Sequence, residues 1–579
     1  MMFTRRALAA LAVALVSSAC GSDSATGPDA PNPVLGVSVT PKGATSVQVT
    51  FNGTAGDASY DIERAEGSAG TYAAAGSVAA PATGGAVSFV DNGLKASTLY
   101  RYRVYANRGS LKSVASGEAT TTTLPFGNVT AVINTDITAS RTLYADTAYT
   151  LSGFVHVANG ATLTIQAGTT IKGDFSVLGS TLMIMRGAKI QAVGTADAPI
   201  VFTSSRAVGQ RQPGDWGGLV IVGNAPNNRT GAVAVEGTGT DGTAVVGGKN
   251  YTVIYNGGNT ATDNSGTLSY VRVEFAGFAP LQDQEFNSFT FAAVGSGTRA
   301  SFLESLAGLD DSFEFFGGGF DLDHLVAFET ADDVLDMSEG FSGRIQFVVA
   351  QATVQLVPRT GAGFYSVDLE GIENDGCNGT GCDLGFNSAP FTVPLVANFT
   401  LIGCGQASCV GASGGHGMML RRGTGGYYVN GVLARWPTDA ISLRDAATFD
   451  RAGAVTSPSA SADLQVRNVV AVETNSLMFQ NPSATQFALD LTSNALTLST
   501  ATAASMFAAI PAVGAAPTGI SAFDFTPTAG SAIASGGLAT FTGAILAKAG
   551  TFVTPTSYIG GVAPNGPKWF QGWTSYARN

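Results

Sequence analysis

Asp310-Asp311-Ser312-Phe313-Glu314, with Gly317-Gly318 behind it, returns 22 residues later as Asp332-Asp333-Val334-Leu335-Asp336, with Gly340 behind it. Leu325-Val-Ala-Phe328 and Ile345-Gln-Phe-Val-Val349 follow the two copies as equivalent apolar runs. A unit this short cannot bury its own apolar face, but a stack of such units can. Short β-rich runs separated by glycine turns at this period predict the coils of a right-handed parallel β-helix, a solenoid with several short strands per turn.

The pattern extends towards the N-terminus. Gly160-Ala-Thr-Leu-Thr-Ile165 recurs as Gly187-Ala-Lys-Ile190, 27 residues on, and Gly168-Thr-Thr-Ile171 as Gly194-Thr195 with Ile200-Val-Phe-Thr203. If residues 127–579 were all coils, at about 4.8 Å each, the rod would be roughly 70–90 Å long. Gly187-Ala-Lys-Ile190, Pro199-Ile-Val-Phe-Thr-Ser204, Gly214-Asp-Trp-Gly-Gly-Leu219, the two Asp-Asp coils and Leu420-Arg-Arg-Gly-Thr424 resemble a bacterial group of secreted pectin-lyase-like β-helix proteins. Asp524-Phe-Thr-Pro527 resembles the closing coils of that group, and Tyr558-Ile-Gly560 with Trp569 and Trp573 its terminal segment. The resemblance implies the same fold. The wider superfamily contains lyases and hydrolases of acidic polysaccharides.

Residues 32–125 read differently. Val47-Gln-Val-Thr-Phe51, Tyr60-Asp-Ile-Glu-Arg64 and Tyr100-Arg-Tyr-Arg-Val-Tyr-Ala106 alternate apolar and polar positions, the mark of half-buried strands. About seven such strands make a β-sandwich. Leu94 and Tyr100, six residues apart, resemble the tyrosine corner of fibronectin type III domains, with Phe51 where that family carries a core Trp. The chain is therefore expected to be all-β, a fibronectin type III-like sandwich followed by the solenoid.

Ahead of both, Arg5-Arg6 and the short apolar run Ala7–Val16 form an export signal. Ser17-Ser-Ala-Cys20 resembles a lipobox, which implies acylation of Cys20, a signal over residues 1–20 and a flexible tether over 21–31. Partners and location follow: a membrane contact through the lipid, at the outer membrane or cell surface. With Cys20 set aside, Cys377, Cys382, Cys404 and Cys409 remain as two C-x4-C pairs. In an oxidising compartment these read as small disulfides, with zinc, which prefers tighter spacing, as the other use. The net charge of −12 without a basic cluster disfavours nucleic acid.

Chemistry concentrates in the acidic repeat. One period apart, Asp310 stacks over Asp332 and Asp311 over Asp333, and like charges about 5 Å apart repel unless a cation, a hydrogen bond or a raised pKa relieves them. Asp310, Asp311, Glu314, Asp332, Asp333 and Asp336 are thus candidate calcium ligands. The plainer reading is that they cap turns through backbone N–H groups. Gly415-His416-Gly417 with Arg421 and Arg422 has the look of a glycosidase motif, but 105 residues from Asp311 to His416 amount to nearly five coils, about 23 Å. Trp216, Trp436, Trp569 and Trp573 are the candidates for exposed contacts, while His156 and His324 are expected to face solvent. No catalytic residue is assigned. The function that follows is an exported binding, adhesion or structural module for carbohydrate or envelope components, with a polysaccharide lyase or glycoside hydrolase as the alternative.

Overall fold

The computed structural model describes residues 30–577 except 128, 240–244, 247–248, 251, 280–283, 364, 453–462 and 477–494. The export signal, Cys20 and nearly all of the tether lie outside the described residues. The chain divides into two compact units, a smaller one built mainly from Gln48–Asp91 and Leu99–Thr121 and a larger one that includes Thr122 onward.

In the N-terminal region, strands Leu35–Pro41, Ser46–Gly53 and Gly85–Asn92 make one sheet. Ser59–Glu66, Ala73–Ala79, Leu99–Arg108, Leu111–Lys112 and Ala119–Thr122 make the other, with antiparallel pairing of its central strands. Alternation does what it should: Tyr100, Tyr102, Val104 and Ala106 are buried while their neighbours in the strand are not. Phe51 meets Tyr60 edge-on at 4.9 Å, and Leu94 is buried.

The larger unit is a parallel β-helix. One sheet of nine strands runs from Phe154–Val157 to Asp439–Leu443, and a second of 15 strands supplies the other faces. Pairing is in register from coil to coil. Phe313 stands beside Leu335 and Glu314 beside Asp336, which is the 22-residue repeat, and Val155 stands beside Leu182 at the 27-residue one. Inside, like packs on like: Phe289 on Phe313 at 5.1 Å, Phe291 on Phe315 at 5.3 Å, Phe315 on Phe341 at 4.6 Å. The long strands bend at left-handed residues that also form a column, Tyr270, Phe302, His324, Phe347, Asn398, Asn430 and Asn468, with φ between 51° and 65°. Such φ values strain an L-residue by about 1–3 kcal/mol. Ring stacking of Tyr270 on Phe302 and Phe302 on His324, both at 4.4 Å, helps offset it.

Twelve strands follow one another along the main path of the large sheet. At about 4.8 Å per rung the stack is roughly 50 Å tall, shorter than expected from the sequence. One reason is that loops lengthen several coils, as between Leu219 and its partner Phe289; the other is the C-terminal segment, which does not coil. Asp524–Pro527 pairs antiparallel with Phe507–Ala509, and residues from there to Tyr576 lie over the outer face of the long strands. Trp573 packs edge-on against Tyr270 and Trp569 against His324. Gly560 N–H donates to Asn430 O at 2.8 Å and Ser575 N–H to both Glu304 carboxylate oxygens at 3.0 Å. His324 is therefore held in an aromatic stack rather than facing solvent. Trp216, Trp436 and Trp573 are each 1% exposed, because their indole N–H groups find backbone carbonyls inside the fold at Glu274, Leu401 and Trp569. Cys377–Cys382 and Cys404–Cys409 are both disulfides, leaving none of these thiols for zinc.

Phe315, fully buried between Phe291 and Phe341, tests the internal stack. Phe315→Ala should cost about 3–5 kcal/mol, seen as a lower denaturant midpoint for the β-helix transition. A loss below about 1 kcal/mol would show that the column is not closely packed.

Candidate functional site

The nine-stranded sheet turns its apolar residues inward and its alternate positions outward, so outward charges repeat from rung to rung. Asp311 precedes Phe313–Phe316, Asp333 and Asp336 open Asp333–Ser338, and Glu370 and Glu373 occupy the same places in Glu370–Asp375. Register makes the columns explicit: Asp333 beside Glu370, and Glu314 beside Asp336 beside Glu373. The next rung supplies Met419 beside Glu373 and Arg421 beside Asp375.

A cleft of about 770 Å³ opens over these rungs. Asp310, Asp311, Asp332, Asp333 and Asp336 line it, joined by Glu370 and Glu373, by Glu236, Glu285 and Asp368 from loops, and by Arg421 and Arg422 at the far rung. Ten acidic side chains thus share one wall system with two guanidinium groups. Five of the six predicted acidic residues converge here. Glu314 lies just behind the lining: its carboxyl accepts the Asn287 side-chain amide and shares a hydrogen bond with Glu236, and burial, with Glu236, Asp311 and Asp336 nearby, pushes it well above the usual carboxylate range.

Turn capping explains part of the cluster. Asp311 Oδ1 accepts the Asp333 backbone N–H at 2.8 Å. It does not explain Asp333, whose own Oδ1 is buried without a hydrogen-bond partner among the described residues, nor Glu370, whose Oε2 is in the same state. Leaving a buried acceptor unmade costs about 1–3 kcal/mol, more for a charged one. Burial first, and neighbouring carboxylates second, push Asp310, Asp311, Asp333 and Glu370 well above the usual carboxylate range. Burial also raises Asp332 to about 6, where a Ser366 hydrogen bond restrains it, and Glu373 to about 8, where Asp375 adds to the rise and Arg421 opposes it. Burial works against the charge on Arg421, but Asp375 and Glu373 outweigh it and hold the guanidinium protonated. Arg421 Nε donates to Asp375 Oδ1 at 2.9 Å.

His416 stands apart. It begins the strand His416–Arg421 and is buried, its Nδ1 2.8 Å from Asp439 Oδ1 and its Nε2 3.0 Å from Arg444 Nη2. Its strand lies only three rungs beyond Phe313–Phe316, not nearly five, because two of the intervening coils are stretched by loops. Asp336 pairs with Glu373, 37 residues on, and Glu373 with Met419, 46 on. The same stretching hid Glu370 and Glu373 from the repeat. Glu370-Gly-Ile-Glu373 is a third copy of Asp333-Val-Leu-Asp336, legible in residue type but displaced from the 22-residue spacing.

A family described as a pectate-lyase-like β-helix domain matches residues 135–512. The chain belongs to that family. The match spans the coils that build the cleft. No curated protein matches the chain. Among solved structures, the smaller region resembles FN3tt, with 20% identity over 17% of this chain and 98% of that one, at a TM-score of 0.15. It also resembles the sensor domain of the anti-sigma factor RsgI4 of Pseudobacteroides cellulosolvens, 23% identical over 16% of this chain and 96% of that one, at 0.13. A Fn3-like protein from Clostridium thermocellum gives 23% identity over 16% and 92%, also at 0.13.

A carboxyl group whose pKa is higher folded than unfolded holds its proton more tightly in the native state. Its contribution to stability is full below the ordinary carboxylate pKa and is lost as pH rises through the raised value. In EDTA, the β-helix melting temperature should therefore fall by several degrees between about pH 5 and about pH 9, the window set by Asp332 and Glu373. Asp332→Asn with Glu373→Gln should flatten that slope. An unchanged slope in the double variant would place the effect outside the cleft.

Proposed function

We propose that this β-helix protein is exported, anchored through Cys20, and uses the cleft to bind acidic polysaccharide through divalent cations, calcium first among them. The observation that carries the reading is the set of three buried carboxylate oxygens without a partner among the described residues, Asp333 Oδ1, Asp336 Oδ1 and Glu370 Oε2, on the wall of an open acidic cleft. Charge this dense, in a site this desolvated, needs a counter-ion or protons. Calcium takes six to eight oxygen ligands in flexible geometry. A wall on one side supplies only some of them, and the carboxylates of a uronate chain fill the rest. Without the cation the same wall repels such a chain. Arg421 and Arg422, at the far rung, favour an anionic occupant there.

A hydrolase is the second reading, and a specific observation favours it over a lyase. A lyase needs a base that gives up its proton, yet Arg421 is held charged by Asp375 and Glu373. Asp332 and Glu373, by contrast, are raised into the range where a carboxylic acid can protonate a leaving group near neutral pH. Rungs about 4.8 Å apart also offer carboxyl pairs at about 5 Å from neighbouring strands and about 9.5 Å across two.

Titration calorimetry with oligogalacturonate and oligoalginate should give binding in calcium buffer and at least roughly tenfold weaker binding in EDTA. Equal affinity in EDTA would reject the cation-dependent reading. New reducing ends that disappear in Glu373→Gln would put the hydrolase ahead. For the anchor, Cys20→Ala should move the protein from the membrane fraction to the soluble one; no redistribution would reject lipidation at that residue.

A further inference from the structure

Outside the acidic cleft, Arg359 is a buried cation without a counter-ion. It is 7% exposed, its Nη1 donates to the Phe175 carbonyl at 2.8 Å, and its Nε is buried with no hydrogen-bond partner among the described residues. Among those residues no carboxylate stands within ion-pair distance of it. Burial works against its charge, Asp215 opposes that only in part, and Arg206 adds to the loss. We propose that this corner of the β-helix, framed by Phe175, Arg206 and Arg359, is an anion site that takes an oxyanion, the sulfate or carboxylate group of an acidic saccharide or the free ion, without a metal.

The neighbouring acids are already engaged. Asp215, 1% exposed, has Arg206 Nε 3.1 Å from Oδ1, while its Oδ2 accepts the Ser204 hydroxyl at 2.6 Å and the Gln212 N–H at 3.0 Å. Glu274 lies 3.7 Å from Arg211 and 2.6 Å from Arg272. The guanidinium groups of Arg206, Arg211 and Arg359 thus have only Asp215 and Glu274 to share, and Arg272 also holds Glu274. A desolvated guanidinium with donors to spare favours an oxyanion, whose oxygens match its planar fork. The frame is set before a ligand arrives. Arg359 N–H donates to Pro213 O at 3.1 Å, Phe175 N–H donates to Ser205 Oγ at 3.1 Å, and the Arg206 guanidinium lies 4.8 Å over the Phe175 ring. Phe175 is still 37% exposed, and Val357, two residues before Arg359, is 73% exposed. Apolar surface beside a few fixed polar groups is what holds the body of a small ligand while its charge is recognised. The corner is distinct from the cleft wall. Asp215 precedes Gly218–Val222, which lies two rungs ahead of Phe313–Phe316 in the nine-stranded sheet. At about 4.8 Å per rung that is about 10 Å along the stack, on the side away from Arg421 and Arg422.

The test is thermal melting and titration calorimetry of the full-length protein in EDTA, which removes any cation from the cleft. Sodium sulfate, galacturonate, galactose 6-sulfate and neutral galactose are the probes, against sodium chloride at matched ionic strength. Sulfate stabilises proteins generally, so the measure is the sulfate-over-chloride rise in melting temperature of wild type relative to Arg359→Gln. A larger rise in wild type is expected. Arg359→Lys, which keeps the charge and loses the fork, should bind sulfate at least about tenfold more weakly, and it decides the matter if Arg359→Gln fails to fold. Tighter binding of galactose 6-sulfate or galacturonate than of the free ion would assign the site to a saccharide, and equal binding to the free ion. An equal rise in wild type and Arg359→Gln, sulfate binding unchanged in Arg359→Lys, or galactose bound as tightly as its sulfate ester would overturn the proposal. So would sulfate binding that appears only with calcium, since the anion would then sit on a cation in the cleft. The calcium-dependent reading of the cleft stands or falls separately.

Discussion

Parallel, in-register pairing between coils governs everything else in the larger unit. Each strand satisfies its backbone groups on the rungs above and below, so a residue is committed to a neighbour of the same position one coil away, about 4.8 Å distant. Inside, that commitment is favourable, and Phe289, Phe313, Phe291, Phe315 and Phe341 stack face to face. Outside, the same commitment lines up Asp311 with Asp333 and Glu314 with Asp336 and Glu373, where like charge meets like charge. The fold provides the columns. Whether a column stabilises or strains is decided by what fills it.

The protein handles buried charge in two contrasting ways. Beneath the C-terminal segment, Arg272 Nη2 lies 2.6 Å from Glu274 Oε1, and Glu304, fully buried, takes both the Ser575 N–H and the field of Arg272. Glu329 accepts the Thr353 N–H at 2.9 Å and the Tyr576 hydroxyl. These carboxylates have partners, and they pin the segment to the sheet. On the cleft side the carboxylates outnumber the cations, and Asp333, Asp336 and Glu370 keep oxygens with no donor among the described residues. A fold able to pair its buried acids on one face leaves them unpaired on another only at a cost, and that contrast sets the cleft apart as a binding surface.

Loops convert the acidic column into a concave site. Glu236, Glu285 and Tyr365–Asp368, which lie outside the strands of the sheet, line the cleft together with its outward face. Enclosure lowers the local dielectric, which raises the carboxyl pKa values and strengthens the hold on any multivalent cation. The loops that make the site are the same insertions that lengthen the coils and break the sequence period.

Much of this was legible in the residues. Alternation in Tyr100–Ala106 marked the N-terminal strands, the spacing of Asp310 and Asp332 marked a coil, and two C-x4-C pairs marked the disulfides, because each depends on neighbours in sequence or on a fixed period. Five of the cleft acids were named for the same reason. Glu370 and Glu373 were not, since loops stretch their coil to 37 residues, and Glu236, Glu285 and Asp368 carry no period at all. The course of the C-terminal segment, the burial of Trp216, Trp436 and Trp573, and the unpartnered oxygens of Asp333 and Glu370 were decided only in three dimensions. Periodicity reports which residues stack, whereas burial and hydrogen-bond partnership depend on segments hundreds of residues away, and no local pattern encodes those.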